Sequence, residues 1–430
     1  MKSQSLLSLS ACLMAAIALP VNSAAQDALQ HTRPTTQYTV TDLGTLSGGN
    51  FSQPFFITKN GHIAGSSNLA DGSSHAVVWA SEQMTDLGAL GGSNSIAFGV
   101  NIYGRSVGEA ETSASDSNGE DFCGFQTHLT CLPFEAHNDV MNPLPTLGGN
   151  NGVATAISNR GEVSGYAETS IPDPSCPAPQ VLHFKPVVWE NGVIHELPTA
   201  GADADGVAFM INDYGQAVGA SGDCATFNPI NLYNLVPVHA LLWEDGKAID
   251  LGNLGGSTGQ AGGNIAFDIN NVGQVVGSSD LAGDTTFHAF LWTRKARIQD
   301  LGTLSGDIAS LSISINDAGL VVGASVDASG NPRAFLWNSG VMTDLNTLVA
   351  GNSSLYLMTG CSINDRGEIT GLGLTSTGEV HTYLATPTQG VATSTSQGVI
   401  SRRTLSGDAR RLLQQQLRFT RFGARFSSVQ

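Results

Sequence analysis

The sequence predicts an all-β fold, a seven-bladed β-propeller with four-stranded antiparallel blades, followed by a basic C-terminal helical tail. Three observations carry this expectation. A segment of the form I-N-x-x-G-x-V-x-G recurs seven times, the composition suits short strands and tight turns, and the chain opens on a strand-like stretch that its last repeat lacks. Internal repetition at a fixed period marks solenoids and propellers, and it constrains the fold more than any local propensity.

The seven copies are ITKNGHIAG from residue 57, VNIYGRSVG from 100, ISNRGEVSG from 157, INDYGQAVG from 211, INNVGQVVG from 269, INDAGLVVG from 315 and INDRGEITG from 363. Their first shared glycines are Gly61, Gly104, Gly161, Gly215, Gly273, Gly319 and Gly367, spaced 43, 57, 54, 58, 46 and 48 apart, and residues 38–387 supply 50 residues per copy. Each copy spells four strands. An alternating stretch such as SLSISIN (310–316) makes the first, and the polar pair with its glycine makes a hairpin turn whose last residue tolerates positive φ. LVVGAS makes the second, HAFLW (288–292) and its variants from 75, 239 and 333 make the third, and GVMTDLNTL from 340 makes the fourth. Four short strands per 50 residues is propeller spacing, whereas a β-solenoid has shorter repeats and a sandwich does not repeat its sequence.

The ends define the closure. YTVTDLGTL (38–46) reads as a fourth strand, and the last copy stops after the third-strand segment HTYLATP (381–387). The first segment is therefore expected to complete blade seven, which removes exposed sheet edges.

The His-Ala-Phe tripeptide, with its Ile-Asn-x-x-Gly and Asp-Leu-Gly-x-Leu companions, resembles the bacterial extracellular HAF-repeat family over residues 38–387. Blade two departs from it with CLPFEA (131–136), and blade three keeps only the Trp in KPVVW (185–189). The resemblance implies a repeat fold and export; it transfers no catalytic residue.

The N-terminus and the composition agree with export. Residues 1–25 read as a signal peptide: Lys2, an apolar run, and small residues Ser23, Ala24 and Ala25. A lipoprotein box at Leu9, Ser10, Ala11 and Cys12 is the alternative, and no later stretch is apolar enough to span a bilayer. Location is thus read as secreted, periplasmic or extracellular. The net charge is −17; residues 401–430 hold seven Arg against Asp408, so the body without that tail and Lys2 carries 11 basic and 35 acidic residues. Such a body repels nucleic acid and anionic membrane. Five cysteines follow Cys12. In an oxidising compartment the expected disulfides are Cys123 with Cys131 and Cys176 with Cys224, leaving Cys361 a buried thiol.

Irregularity within the repeat locates the candidate site. Between the second repeat glycine and the His-Ala-Phe position the loops of blades one to seven hold 9, 23, 19, 19, 10, 9 and 9 residues. Blades two, three and four are thus expected to raise a rim on one face. Its candidate binding residues are Asp116, Asp121, Phe122, Phe125, His128, Phe184, Phe227 and Tyr233, with Pro172, Pro174, Pro177 and Pro229 to stiffen it; loops that merely pack on one another are the plainer reading. DSNGED (116–121) has the oxygen-rich spacing of a calcium loop, yet the distant acidic ligand of an EF-hand falls on Thr127. No cofactor is otherwise expected, and no metal ligand set is assigned. GGSTG (255–259) sits in a repeat turn and not on a nucleophile elbow. His75, His239, His288 and His381 recur once per blade, so they are read as structural, and HELPT from 195 lacks a second zinc-binding His.

Residues 388–400 read as a flexible linker and 401–430 as a basic amphipathic helix whose apolar face is Ala409, Leu412, Leu413 and Leu417. Its charge points to docking on its own acidic propeller; an anionic surface or a partner that orders it are the other readings. The whole reads as a non-catalytic binding scaffold for an unknown extracellular protein or glycan. The alternative is a secreted carbohydrate-active enzyme using carboxylates at the central funnel, for which Asp203 and Asp205 are the acidic pair to test.

Overall fold

A computed structural model of the chain describes residues 36–138, 140–224, 239–256, 263–388 and 403–407. The described chain forms seven antiparallel sheets, each running first, second, third, fourth strand without crossover. Blade one comprises Ser52–Ile57, Ile63–Asn68, Ser74–Ala80 and Gln83–Asp86; blades two to six repeat that plan over 91–143, 148–196, 205–250, 265–302 and 309–344. In blade seven the first strand is split into Tyr356–Leu357 and Ser362–Ile363, followed by Ile369–Leu374 and Val380–Thr388. Its fourth strand is Gln37–Asp42, paired antiparallel with Val380–Thr388 from Gln37 opposite Thr388 to Asp42 opposite Tyr383. The ring closes as the unpaired terminal segments require. Residues 1–25 and 388–400 fall outside the described part except for Thr388, as does the tail except for 403–407.

The repeat motif is explained by what each residue bonds. In INDAG the Gly319 N–H donates to the Asn316 carbonyl and Asn316 N–H to Leu320 O, with Gly319 at φ +78°. The Asn316 side chain does two further jobs. Its Oδ1 accepts the Leu320 N–H, and its Nδ2 donates 3.0 Å to Asn364 O of the next blade. Asn212, Asn270 and Asn364 repeat the inter-blade bond to Asn270 O, Asn316 O and Thr58 O, the last across the closure. The motif's second glycine answers to crowding: a Cβ on Gly323 would stand 2.0 Å from Leu311 O and 2.9 Å from the Phe335 ring.

The His-Ala-Phe and Asp-Leu-Gly elements form a latch between third and fourth strands. His75 Nδ1 lies 2.9 Å from Asp86, His288 3.0 Å from Asp300, and His381 2.9 Å from Asp42 across the closure. The same aspartates accept the N–H of Gly88, Gly302 and Gly44. In blade six Arg333 replaces His and binds Asp344 and Asp307; in blade three Lys185 stands there and donates to Ala204 O. His75, His288 and His381 thus bond between third and fourth strands, one to a blade, whereas His239 pairs with Asp203. Each Trp is buried, Trp79 and Trp189 at 1% exposure, and Trp189 shares a core cluster with Val107 of blade two as Trp337 does with Val276 and Leu291 of blade five.

First strands of neighbouring blades lie against one another all the way round and surround a central channel. Its interior is apolar. Phe55 packs edge-on to Phe98 at 4.7 Å, Phe209 lies 5.8 Å from Phe267, and Ile96, Val207, Ile265 and Leu311 join the same cluster. Because consecutive strands alternate in direction, the Asn-Gly turns emerge on one face and the described second-to-third-strand loops emerge on the other.

Candidate functional site

On the turn face the channel opens into a cavity of about 240 Å3 lined by the ends of first strands from all seven blades. Its carboxylates are Asp213, Asp268, Asp317 and Asp365. Asp213 accepts the N–H and side-chain amide of Asn159 at 2.8 and 2.9 Å, Asp317 accepts those of Asn271, and Asp365 accepts the Asp317 N–H. Asp268 accepts the Ile315 N–H from the next blade. These groups are links in a second set of inter-blade bonds beside those of the asparagines.

The loop face is asymmetric, as the loop lengths predict. In blade two the loop turns on Asp116, whose Oδ1 accepts the N–H of Asn118 and Glu120 and whose Oδ2 accepts the side-chain amides of Asn150 and Asn151. These oxygens therefore hold protein donors. Glu120, fully buried, reaches into blade three: its Oε1 accepts the N–H of Val181 and Leu182 at 2.6 and 2.9 Å and the Gln180 amide at 3.1 Å. Gln180 also donates 2.8 Å to Glu168, which accepts Asn151 N–H at 3.0 Å. Burial, and then the charge of Glu120, push the Glu168 carboxyl up to about 8. Glu109 is held well above the usual carboxylate range by burial, then by Glu111 and Asp121. The two long loops are thus one polar-stitched unit. The disulfides Cys123–Cys131 and Cys176–Cys224 both form, and Cys361 is buried outside any disulfide.

The rim residues divide by position. Phe122 and Phe184 are buried, packing at 6.3 Å on each other and, with Tyr166, forming the floor under the loops. Asp116 is buried, Phe125 and Asp121 are half-buried, and His128 is exposed with Nδ1 2.8 Å from Gly119 O. The aromatic candidates Phe122 and Phe184 therefore support the rim from below and do not present themselves on it. Phe227 and Tyr233 lie outside the described residues. Ile171 and Val181, at the blade-three loop, are exposed apolar groups that the sequence did not single out.

Asp203 and Asp205 part ways. Asp203 pairs with His239 at 2.8 Å and accepts the Ser221 hydroxyl. Asp205 is fully buried and accepts the N–H of Phe184 and Cys224. His183 Nδ1 stands 3.2 Å from Asp205 Oδ1 and 3.2 Å from Asp173 Oδ2. Burial pushes Asp205 up to about 6, against the Phe184 N–H and His183, while Asp173 is lowered by Ser175 despite its burial. Neither Asp173 nor His183 was among the sequence candidates. The signal that finds them is departure from the repeat, since His183 lies two residues before the third-strand latch position and Asp173 in an insertion.

No protein-family model matches the chain. No curated protein matches it in sequence. Among solved structures it is similar to a streptogramin B lyase at 8% identity and TM-score 0.46, covering 82% of this chain and 98% of that one. It is similar also to a puromycin-hydrolyzing peptidase of Mycobacterium tuberculosis at 13% identity and TM-score 0.46, covering 81% of this chain and spanning 56% of the peptidase. A mutant Aleuria aurantia lectin matches at 8% identity and TM-score 0.32, covering 85% of this chain and 98% of that one. No residue role is carried across from them.

Proposed function

We propose that this propeller is an exported binding module whose recognition surface is the loop face of blades two and three, extended by the blade-four loop. One observation carries the reading: the repeat is uniform where it builds the ring, and the long departures of blades two and three lie together on one face. There Glu120 stitches two loops together and two disulfides pin them. A preorganised surface loses little entropy on binding. Export accords with the two disulfides, with the leader-like residues 1–25 and with the HAF-repeat resemblance. The carbohydrate-active enzyme reading has less support, because the carboxylates lining the channel mouth accept inter-blade hydrogen bonds.

The test is a binding screen of the mature protein against polysaccharides and secreted proteins. It runs beside a variant whose three long loops are cut to the nine residues of blades one, six and seven, and beside the surface variants His128→Ala and Ile171→Ser. A ligand lost by loop trimming and weakened by either surface change supports the site. A ligand bound equally by all forms, or a polysaccharide cleaved with undiminished rate by the trimmed form, overturns it.

A further inference from the structure

Three residues of blades three and four have no explanation in the repeat. At the start of the first strand, Asn94 in blade two and Asn151 in blade three use Oδ1 to accept a backbone N–H from the preceding blade, of Ser74 and Cys131. Asp205 holds the same place in blade four and accepts the Phe184 N–H at 3.0 Å. An amide oxygen suffices for that bond, as the other blades show. The aspartate adds a charge at a fully buried position, which is costly unless a cation answers it. Beside it the blade-three insertion contributes a second buried carboxylate, Asp173. His183 completes the group and keeps 22% of its side chain accessible.

We propose that Asp173, His183 and Asp205 form a site for a divalent transition metal of the zinc class at the junction of blades three and four. The three offer one ligand atom each within 4.8 Å of one another. The separations from imidazole nitrogen to each carboxylate oxygen are both 3.2 Å. Metal bonds of about 2.0–2.1 Å in tetrahedral geometry put ligand atoms roughly 3.3 Å apart, so little movement is needed. A nitrogen donor with two carboxylates suits zinc, whereas calcium takes about six to eight oxygens. Several oxygens here already hold backbone or hydroxyl donors: Asp205 those of Phe184 and Cys224, Asp173 those of Ser175. The Cys176–Cys224 disulfide ties the segment after Asp173 to the segment whose N–H binds Asp205, so the ligands are held before the metal arrives. Solvent access at His183 leaves a coordination position for water or an oxygen of a bound ligand.

The experiment uses the full mature chain without an affinity tag, stripped with a chelator and titrated with Zn2+ and separately with Ca2+ by calorimetry, with Co2+ absorption to report coordination. One equivalent of Zn2+ is expected, with a tetrahedral Co2+ spectrum. Asp205→Asn, which restores the residue of the sibling blades, and the half-exposed His183→Gln each weaken Zn2+ binding at least tenfold, with circular dichroism unchanged. Asp203→Asn leaves it intact. Absence of stoichiometric Zn2+ uptake, uptake indifferent to both His183→Gln and Asp205→Asn, or preferential uptake of Ca2+ overturns the assignment.

Discussion

Replacing Glu168 by Gln changes how stability depends on pH, and the size of the change follows from the carboxyl's surroundings. Glu168 ionises near 8 in the folded chain against 4.5 as a free side chain, because it is buried and faces Glu120. Between those values the folded state keeps a proton that the unfolded state has released, so stability falls as pH rises from about 5 to 8 and then levels. At about 1.4 kcal/mol per pH unit the full loss is roughly 5 kcal/mol. Glu168→Gln keeps the shape and an acceptor for the Asn151 N–H. Its new amide faces Gln180, whose Nε2 donates to this carboxylate and whose Oε1 is buried without a hydrogen-bond partner among the described residues, so accommodating it takes a turn of the Gln180 amide. Urea unfolding with disulfides intact, at pH 5 to 9, reads the difference. The two proteins are expected to be close in stability at pH 5, with the variant ahead by several kcal/mol at pH 8.5. Glu109 and Asp205, also raised, lower stability in the same direction in both proteins and cancel in the comparison. Parallel pH curves for wild type and variant would refute the reasoning.

Three further outcomes are expected. Asn316→Ala leaves the Leu320 N–H and the Asn364 carbonyl without their side-chain partner, costing about 1–3 kcal/mol in chemical denaturation, while Asn338→Ala at an exposed strand end costs nearly nothing. Removing residues 36–46 strips the closing strand from Val380–Thr388 and exposes a sheet edge, so size-exclusion chromatography shows association; a monodisperse truncated protein contradicts the closure. Cys123→Ser with Cys131→Ser opens the eight-residue loop of blade two and lowers stability by roughly 2–3 kcal/mol, read by thermal unfolding beside the reduced wild type.

Much of the architecture was legible because each blade is written in local terms. The Asn-x-x-Gly hairpin needs residues within five positions of one another, and Asn316, Gly319 and Leu320 show why those types recur. The latch was legible as a pattern, His then Asp-Leu-Gly, though not as a bond. Pairing His381 with Asp42 takes the ring closure to see, since the two are 339 positions apart. The rim's place was legible from loop lengths, but its surface was not. An aromatic residue in an insertion looks the same in sequence whether it meets solvent or, like Phe122, turns under onto Tyr166 and Phe184.

The amino-acid sequence alone determined the blade count, the strand order, the strand that closes the ring and which cysteines are paired. The first three rest on the repeat and on the matching of two incomplete ends, and the pairing rests on where the cysteines fall in the loops of blades two to four. Tertiary structure alone decided which carboxylates lose water and what they face. Glu120 meets Val181 and Leu182 from another blade, and Asp173, His183 and Asp205 come together from an insertion, a third strand and the next blade's first strand. Such meetings depend on how variable loops fold back across blade boundaries, and no fixed spacing in the sequence encodes that.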